Sequence, residues 1–158
     1  MPSTSPSSDG QRAADPLEYY VAFFEGMTTA DIERVPDVYA ADARFKDPFS
    51  DFRGHERLQR MFTAMLRDVR DYALVVDARC LDGQTGWLRW TMSGYVSALG
   101  KEKWIVTGTS VVVFDADGRV TEHIDYWDAA SQMYERLPVL GWILGKIRGR
   151  FAAHSAAG

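Results

Sequence analysis

The segment Thr121-Glu122-His123-Ile124-Asp125-Tyr126-Trp127 carries an imidazole and a carboxylate two residues apart. On an extended strand, residues i and i+2 share a face, so His123, Asp125 and Trp127 would point the same way. A carboxylate beside an imidazole is proton-transfer chemistry: one group takes a proton and the other orients it or carries the proton itself. A second carboxylate, Asp47, precedes Pro48 at the end of a short alternating stretch, Ala43-Arg44-Phe45-Lys46-Asp47. Two carboxylates that reach one apolar cavity from different strands can hold different protonation states, one giving and one taking a proton. Each residue also has a plainer reading. A single buried histidine is usually a satisfied core residue, and Asp-Pro is ordinary turn chemistry in which Asp47 caps the loop 48–54. The i,i+2 pair on an aromatic face is what favours the functional reading.

Other chemistries find no support. There is no Gly-rich strand-to-helix loop for phosphate, no Gly-x-Ser-x-Gly elbow and no His-Glu-x-x-His. With His55, His123 and His154 scattered and Cys80 the sole cysteine, no metal site, disulfide framework or cofactor is expected. Eighteen basic against 22 acidic residues give a net charge of −4, which argues against a nucleic-acid partner. At 46% hydrophobic and 25% charged, the 158 residues read as one soluble globular domain with a sizeable core. No signal-like apolar segment opens the chain and no apolar run reaches membrane-spanning length, so a cytoplasmic protein is expected.

The elements that must position these residues follow from periodicity. Residues 1–15 are Ser/Pro/Asp/Gly-rich and read as a disordered tail. Pro16 suits a first helical turn, with Leu17, Tyr20, Phe24 and Met27 at helical spacing. Thr28 and Thr29 before Asp31 signal a second short helix to about Ala41, with an irregularity at Pro36. Phe49–Gly54 reads as a loop, and His55–Val69 as a third helix with Leu58, Met61, Phe62, Met65 and Leu66 on one face. After Asp71 the period drops to two, giving strands near 72–81, 86–98, 102–115 and 119–128 with short turns between them. Helices followed by consecutive hairpins make an α+β fold, with helices on one face of a curved antiparallel sheet.

Alternation also sorts the faces. Leu88, Trp90, Met92 and Gly94 share the inner side with Trp104, Val106, Gly108, Ser110, Val112 and Phe114, and with Thr121, His123, Asp125 and Trp127. Trp90, Met92, Trp104 and Trp127, with Phe62 from the third helix, would wall a pocket for an apolar, ring-containing or terpenoid molecule. Tyr20 would place a hydroxyl at the pocket mouth. The opposite face (Thr91, Ser93, Tyr95, Thr107, Thr109, Ile124, Tyr126) is too apolar for open solvent and too polar for a core, which suggests a homodimer through the outer sheet face. Asp128 reads as the N-cap of a helix starting at Ala129 that runs to 151, interrupted by Pro138.

Three stretches resemble the nuclear-transport-factor-2-like superfamily, which includes ketosteroid isomerases, limonene epoxide hydrolases and SnoaL-like polyketide cyclases. They are Asp31-Ile32-Glu33 through Asp47-Pro48, then Gly54 with the helix after it, and Phe114 through Asp128. The likeness spans about residues 17–128. It implies a cone-shaped α+β barrel, a curved sheet wrapped around helices with one enclosed pocket, over a single domain at 16–135. It further implies that Asp47 matches the isomerase base and Asp125 the acid/base aspartate of the cyclases. The isomerase's oxyanion hole uses a tyrosine and a neutral carboxylic acid. Those positions correspond here to Phe23 and Ser110, of which only Ser110 offers even a weak hydrogen bond, so standard steroid isomerisation is disfavoured.

The expected protein is therefore a cofactor-independent enzyme using Asp47, His123 and Asp125 on an apolar small molecule. The alternatives are a carrier with the same pocket and no chemistry, or an interaction module using the sheet face and tail. The tail, 136–158, has no acid and spaces Gly141, Gly145 and Gly149 along one helical face. A weak contact of this basic amphipathic segment with an anionic membrane surface is one reading. Close packing of the glycine face on the sheet or on a subunit is the reading the glycines favour.

Overall fold

The computed structural model describes residues 14–137, together with Gly10, Arg12, Leu140, Gly141, Trp142, Leu144 and Lys146. Helix α1 (Pro16–Glu25) begins where Pro16 needs no partner for a missing N–H and where the Asp15 carboxylate accepts the Glu18 amide at 3.1 Å. It buries Leu17, Tyr20, Val21, Phe23 and Phe24. Thr28 and Asp31 form a reciprocal capping box for a 3₁₀ turn, Thr29–Arg34, which passes into α2 (Val35–Val38) at Pro36. The irregularity expected at Pro36 is this change of helical pitch. The helix does not run to Ala41: strand β1 (Tyr39–Lys46) starts at Tyr39.

The stretch read as a loop, Phe49–Gly54, holds a short strand, β2 (Asp51–Arg53), paired antiparallel with β1. Charge pairing explains it. Arg44 binds both carboxylate oxygens of Asp51 at 2.9 and 2.7 Å and reaches Glu122 at 3.2 Å, tying three strands together. Helix α3 (His55–Asp68) follows, burying Leu58 and Phe62. Then come β3 (Arg70–Asp82), β4 (Thr85–Tyr95), β5 (Trp104–Phe114) and β6 (Val120–Tyr126), each within a few residues of the expected strands.

The six strands form one sheet in the order β2-β1-β6-β5-β4-β3. The sheet is not antiparallel throughout, because β1 runs parallel to β6, with Phe45 opposite His123. That crossover pairing joins the strand that leads into Asp47 to the strand carrying His123 and Asp125. Register shifts in β1, β3 and β6 mark bulges, which bend strands and raise their twist. Side chains of α1 and α3 pack with the inward residues of β4, β5 and β6 in a single core that includes Tyr20, Phe24, Phe62, Leu88, Val106, Val112 and Phe114. The inner-face assignment from alternation agrees with the burial along β4 and β5.

Two end segments depart from the sequence reading. Arg12, placed in the disordered tail, is buried and donates to the carbonyls of Asp37 (2.9 Å) and Asp117 (3.0 Å), so ordered structure begins before Pro16. Residues 1–9 lie outside the described residues. At the other end Asp128 caps α4 (Ala129–Gln132), but the helix stops at Met133 and a 3₁₀ turn, Tyr134–Arg136, follows. The break therefore precedes Pro138. The Lys146 ammonium lies 4.0 Å from the Trp142 ring centroid; Gly145 and Gly149, on which the glycine-face reading depends, lie outside the described residues. Among the described residues no helix is long and apolar enough to cross a membrane.

Gly94 reports how tightly the sheet meets the end of α3. A β-carbon there would stand 2.3 Å from Val69 Cγ1 and 2.9 Å from the Arg70 carbonyl oxygen. Gly94→Ala is predicted to cost about 1–3 kcal/mol of stability through this overpacking. Urea unfolding should show a lower midpoint at unchanged slope, and an unchanged midpoint would contradict the close approach.

Candidate active site

Between the sheet and the two longer helices lies a cavity of about 430 Å³. Its wall is mainly aliphatic and aromatic, interrupted by a few polar residues, Tyr20, Asp47, Asp68, Tyr72, Ser110, His123 and Asp125. Phe49, half exposed and packed edge-on against Trp127, stands at its rim.

The strands set the polar side chains in line. Ser110 faces Asp125 and Val112 faces His123 across the β5–β6 ladder. Trp90 Nε1–H donates to Ser110 Oγ at 2.8 Å, and the Ser110 hydroxyl donates to Asp125 Oδ1 at 2.5 Å. The same oxygen accepts from His123 Nε2 at 2.9 Å. The Tyr39 hydroxyl meets Nδ1 at 2.8 Å, and the Tyr20 hydroxyl lies near both ring nitrogens, 3.1 Å from Nδ1 and 3.2 Å from Nε2. Burial, strengthened by the charge of Asp125, pushes both tyrosines well above their ordinary range, so both keep their protons. The nearer hydroxyl, that of Tyr39, is the one that donates to the single lone pair of Nδ1. Nδ1 is then the acceptor, and the ring proton lies on Nε2, aimed at Asp125. Asp125 Oδ2 accepts no hydrogen bond from the described residues.

This ring is boxed in. His123 is 3% exposed, stacked 14° from the plane of Tyr39 and met edge-on by Tyr20, Phe24 and Phe45. Trp90 reaches Ser110 only because Gly108, its cross-strand partner, has no side chain. A β-carbon at Gly108 would lie 2.5 Å from the indole.

Asp47 shares the cavity but is held differently. Its Oδ1 accepts the Phe49 amide at 2.8 Å while its own amide donates to the Ser50 carbonyl, so the turn role read from Asp-Pro is present. Burial, together with the charge of Asp125, raises its carboxyl above the ordinary 3.8, partly opposed by the hydrogen bonds from Phe49 and Ser50. Asp125 is thus fixed by side-chain donors, whereas Asp47 is held by backbone amides of its turn.

The structure brings Asp47, His123 and Asp125 to one cavity with Tyr20, Phe62, Trp90, Met92, Trp104, Ser110 and Trp127. Phe23 is the exception. It is buried, but packs edge-on against Phe24 and does not line the cavity. Tyr20 and Phe24, four residues apart, take the cavity-facing side of α1, and Phe23 is rotated off it. The Tyr20 hydroxyl also sits deep against His123, not at the mouth, and the Ser110 proton is directed to Asp125. Tyr39 and Tyr72 were missed. Tyr39 fell in the segment read as helix, although Tyr39, Ala43, Phe45 and Asp47 keep a period of two that would have placed it on the face of Asp47.

Comparison with known proteins agrees with this architecture. Residues 20–123 match the family model for the SnoaL-like domain, and the chain belongs to that family. No protein of curated function matches it. Among solved structures, a protein from Jannaschia sp. CCS1 described as a SnoaL-like polyketide cyclase superposes with a TM-score of 0.66 at 12% identity, covering 83% of this chain and 95% of that one. An epoxide hydrolase of the LEH-like type from M. tuberculosis gives 0.62 at 20% identity, covering 87% and 93%. A ketosteroid isomerase-like protein from Catenulispora acidiphila, solved with trimethylamine, gives 0.64 at 12% identity, covering 75% and 89%. At these identities the likeness is one of fold.

The raised Asp47 carboxyl has a consequence for stability. Its folded form holds a proton more tightly than the unfolded chain, so its contribution favours folding below the ordinary value of 3.8. That contribution is lost as pH rises through 3.8 and then through the raised folded value. Relative to wild type, Asp47→Asn is predicted to gain stability over the same interval and to hold that gain at neutral pH. Urea midpoints of the two proteins between about pH 3 and pH 7 test this; a variant that loses ground as pH rises contradicts it.

Proposed function

We propose that this SnoaL-like chain is a small-molecule enzyme that moves a proton on an apolar substrate, with Asp125 as the acid/base and His123 and Ser110 holding it. The observation that carries the reading is the division of labour at Asp125: Oδ1 is occupied by Ser110 and His123 while Oδ2 is left to the cavity. The hydrogen bonds at Oδ1 keep Oδ2 aimed into the cavity, within reach of a substrate proton. In the simplest cycle Oδ2 takes a proton from a substrate carbon or from water, leaving a neutral carboxylic acid, and returns it at a second position. His123 keeps its Nε2 proton on Oδ1 throughout.

Isomerisation, cyclisation, dehydration and epoxide hydrolysis share that proton shuttle, and the SnoaL-like fold includes isomerases, polyketide cyclases and epoxide hydrolases. The two-donor oxyanion hole of a ketosteroid isomerase is not supported, since Phe23 is turned away and the Ser110 proton is committed to Asp125. Asp47, just past the end of the parallel neighbouring strand, would be the partner carboxylate. The mixed apolar and polar outer face, with Val75, Trp87, Ile105 and Tyr126 all exposed, supports a homodimer through the sheet.

An enolisable ring ketone, 2-tetralone, suits the test because exchange of its acidic C–H protons in D₂O reads proton abstraction directly by NMR. Wild-type protein should accelerate exchange, and Asp125→Asn should lower kcat about 100- to 10,000-fold with its unfolding midpoint preserved. An Asp125→Asn variant that exchanges at the wild-type rate would retire Asp125 as the base. Binding of 2-tetralone with no exchange by the wild type would favour a carrier.

A further inference from the structure

One polar group in the cavity wall is unused by the arrangement around Asp125. Tyr72 enters from β3 at a bulge: the register with β4 shifts between Arg70 and Ala73, and Asp71 adopts a positive φ of 52°. Tyr72, Leu74 and Val76 then face the cavity. The Tyr72 hydroxyl oxygen is buried and has no hydrogen-bond partner among the described residues. A buried hydroxyl without a partner costs free energy that a phenylalanine would not. Burial and the charge of Asp125 both raise this phenol, so it remains an O–H donor and feels the carboxylate across the same space.

We propose that Tyr72 is the substrate-oxygen donor of this site, and that the substrate class is an uncharged ring compound bearing a carbonyl. The inference rests on the acid/base reading of Asp125 for its catalytic meaning, but not for the binding contact. The chemistry of the wall narrows the ligand. Asp125 as a carboxylate accepts only, and its charge with the apolar lining opposes an anion. Tyr72 has a proton to give, which a neutral carbonyl oxygen takes without bringing charge into the cavity. Such a bond draws electron density from the carbonyl and acidifies the adjacent C–H, the proton that Oδ2 of Asp125 would remove.

The test uses 9-fluorenone and fluorene, which share a tricyclic skeleton and differ in the carbonyl. Fluorenone has no enolisable proton, so its binding is read apart from any turnover. Wild-type protein should bind fluorenone roughly tenfold more tightly than fluorene, and the bound carbonyl stretch should move to lower frequency in the infrared. Tyr72→Phe should erase the preference and the shift while keeping the affinity for fluorene, which also shows that the cavity is intact. Asp125→Asn should keep the preference. A Tyr72→Phe protein that still prefers fluorenone overturns the proposal. So does a wild-type protein that does not distinguish the probes, or one whose bound carbonyl absorbs at its free frequency. Retention of 2-tetralone exchange by Asp125→Asn would instead sink the acid/base reading and leave the Tyr72 contact standing.

Discussion

A carboxylate held against an apolar cavity is the constraint on which the rest of this molecule depends. Taking Asp125 and His123 out of water costs several kcal/mol unless their lone pairs and protons are met. The chain meets them with side chains from three other elements, Tyr20 on α1, Tyr39 at the head of β1 and Ser110 on β5, and Trp90 on β4 donates in turn to Ser110. None of these four is near Asp125 in sequence. The sheet register is therefore more than scaffolding. A one-residue slip of β6 against β5 would turn His123 and Asp125 to the outer face and present Ile124 and Tyr126 to the cavity.

Packing and polar satisfaction are the same device here. The rings that fill the core around His123 (Phe24, Phe45 and the body of Tyr39) also exclude water from its hydrogen bonds, which strengthens them. Gly108 belongs to this design, because its missing side chain lets the Trp90 indole lie across β5 and reach Ser110. The parallel pairing of β1 with β6 brings Phe45 beside His123 and Asp47 to the cavity wall. The bulge at the start of β3 turns Tyr72 inward from the opposite side.

How much of this could be read from the chain follows from the reach of each signal. Alternation is a local signal: it separated inner from outer faces on β4 and β5 and placed His123, Asp125, Ser110 and Trp90 together, but the bulge in β6 buries Val120 where alternation had put Thr121 inside. Four features escaped because they depend on distant partners. The strand β2 is held by Arg44 bridging Asp51 and Glu122, a contact that no window around residues 49–54 contains. Tyr39 follows two short helical turns, so local propensity carried the helix past it, whereas pairing with β6 makes it a strand. Phe23 and Phe24 are adjacent aromatics on an apolar helix, and only the seating of α1 decides which of them meets the cavity. Arg12 was misplaced for the same reason, its partners being carbonyls of Asp37 and Asp117 far along the chain.

The central claim is that a fixed chain of donors, from Tyr39 through His123 to Asp125, aims one carboxylate oxygen at the cavity. Nitrogen-15 NMR of the His123 side chain tests it most directly, because the two ring nitrogens report separately which of them carries the proton. The account predicts a protonated Nε2 coupled to its hydrogen and an unprotonated, hydrogen-bonded Nδ1 at neutral pH, with that tautomer loosened in Tyr39→Phe. A His123 ring protonated at Nδ1, or averaging between the two tautomers in the wild-type protein, would contradict it.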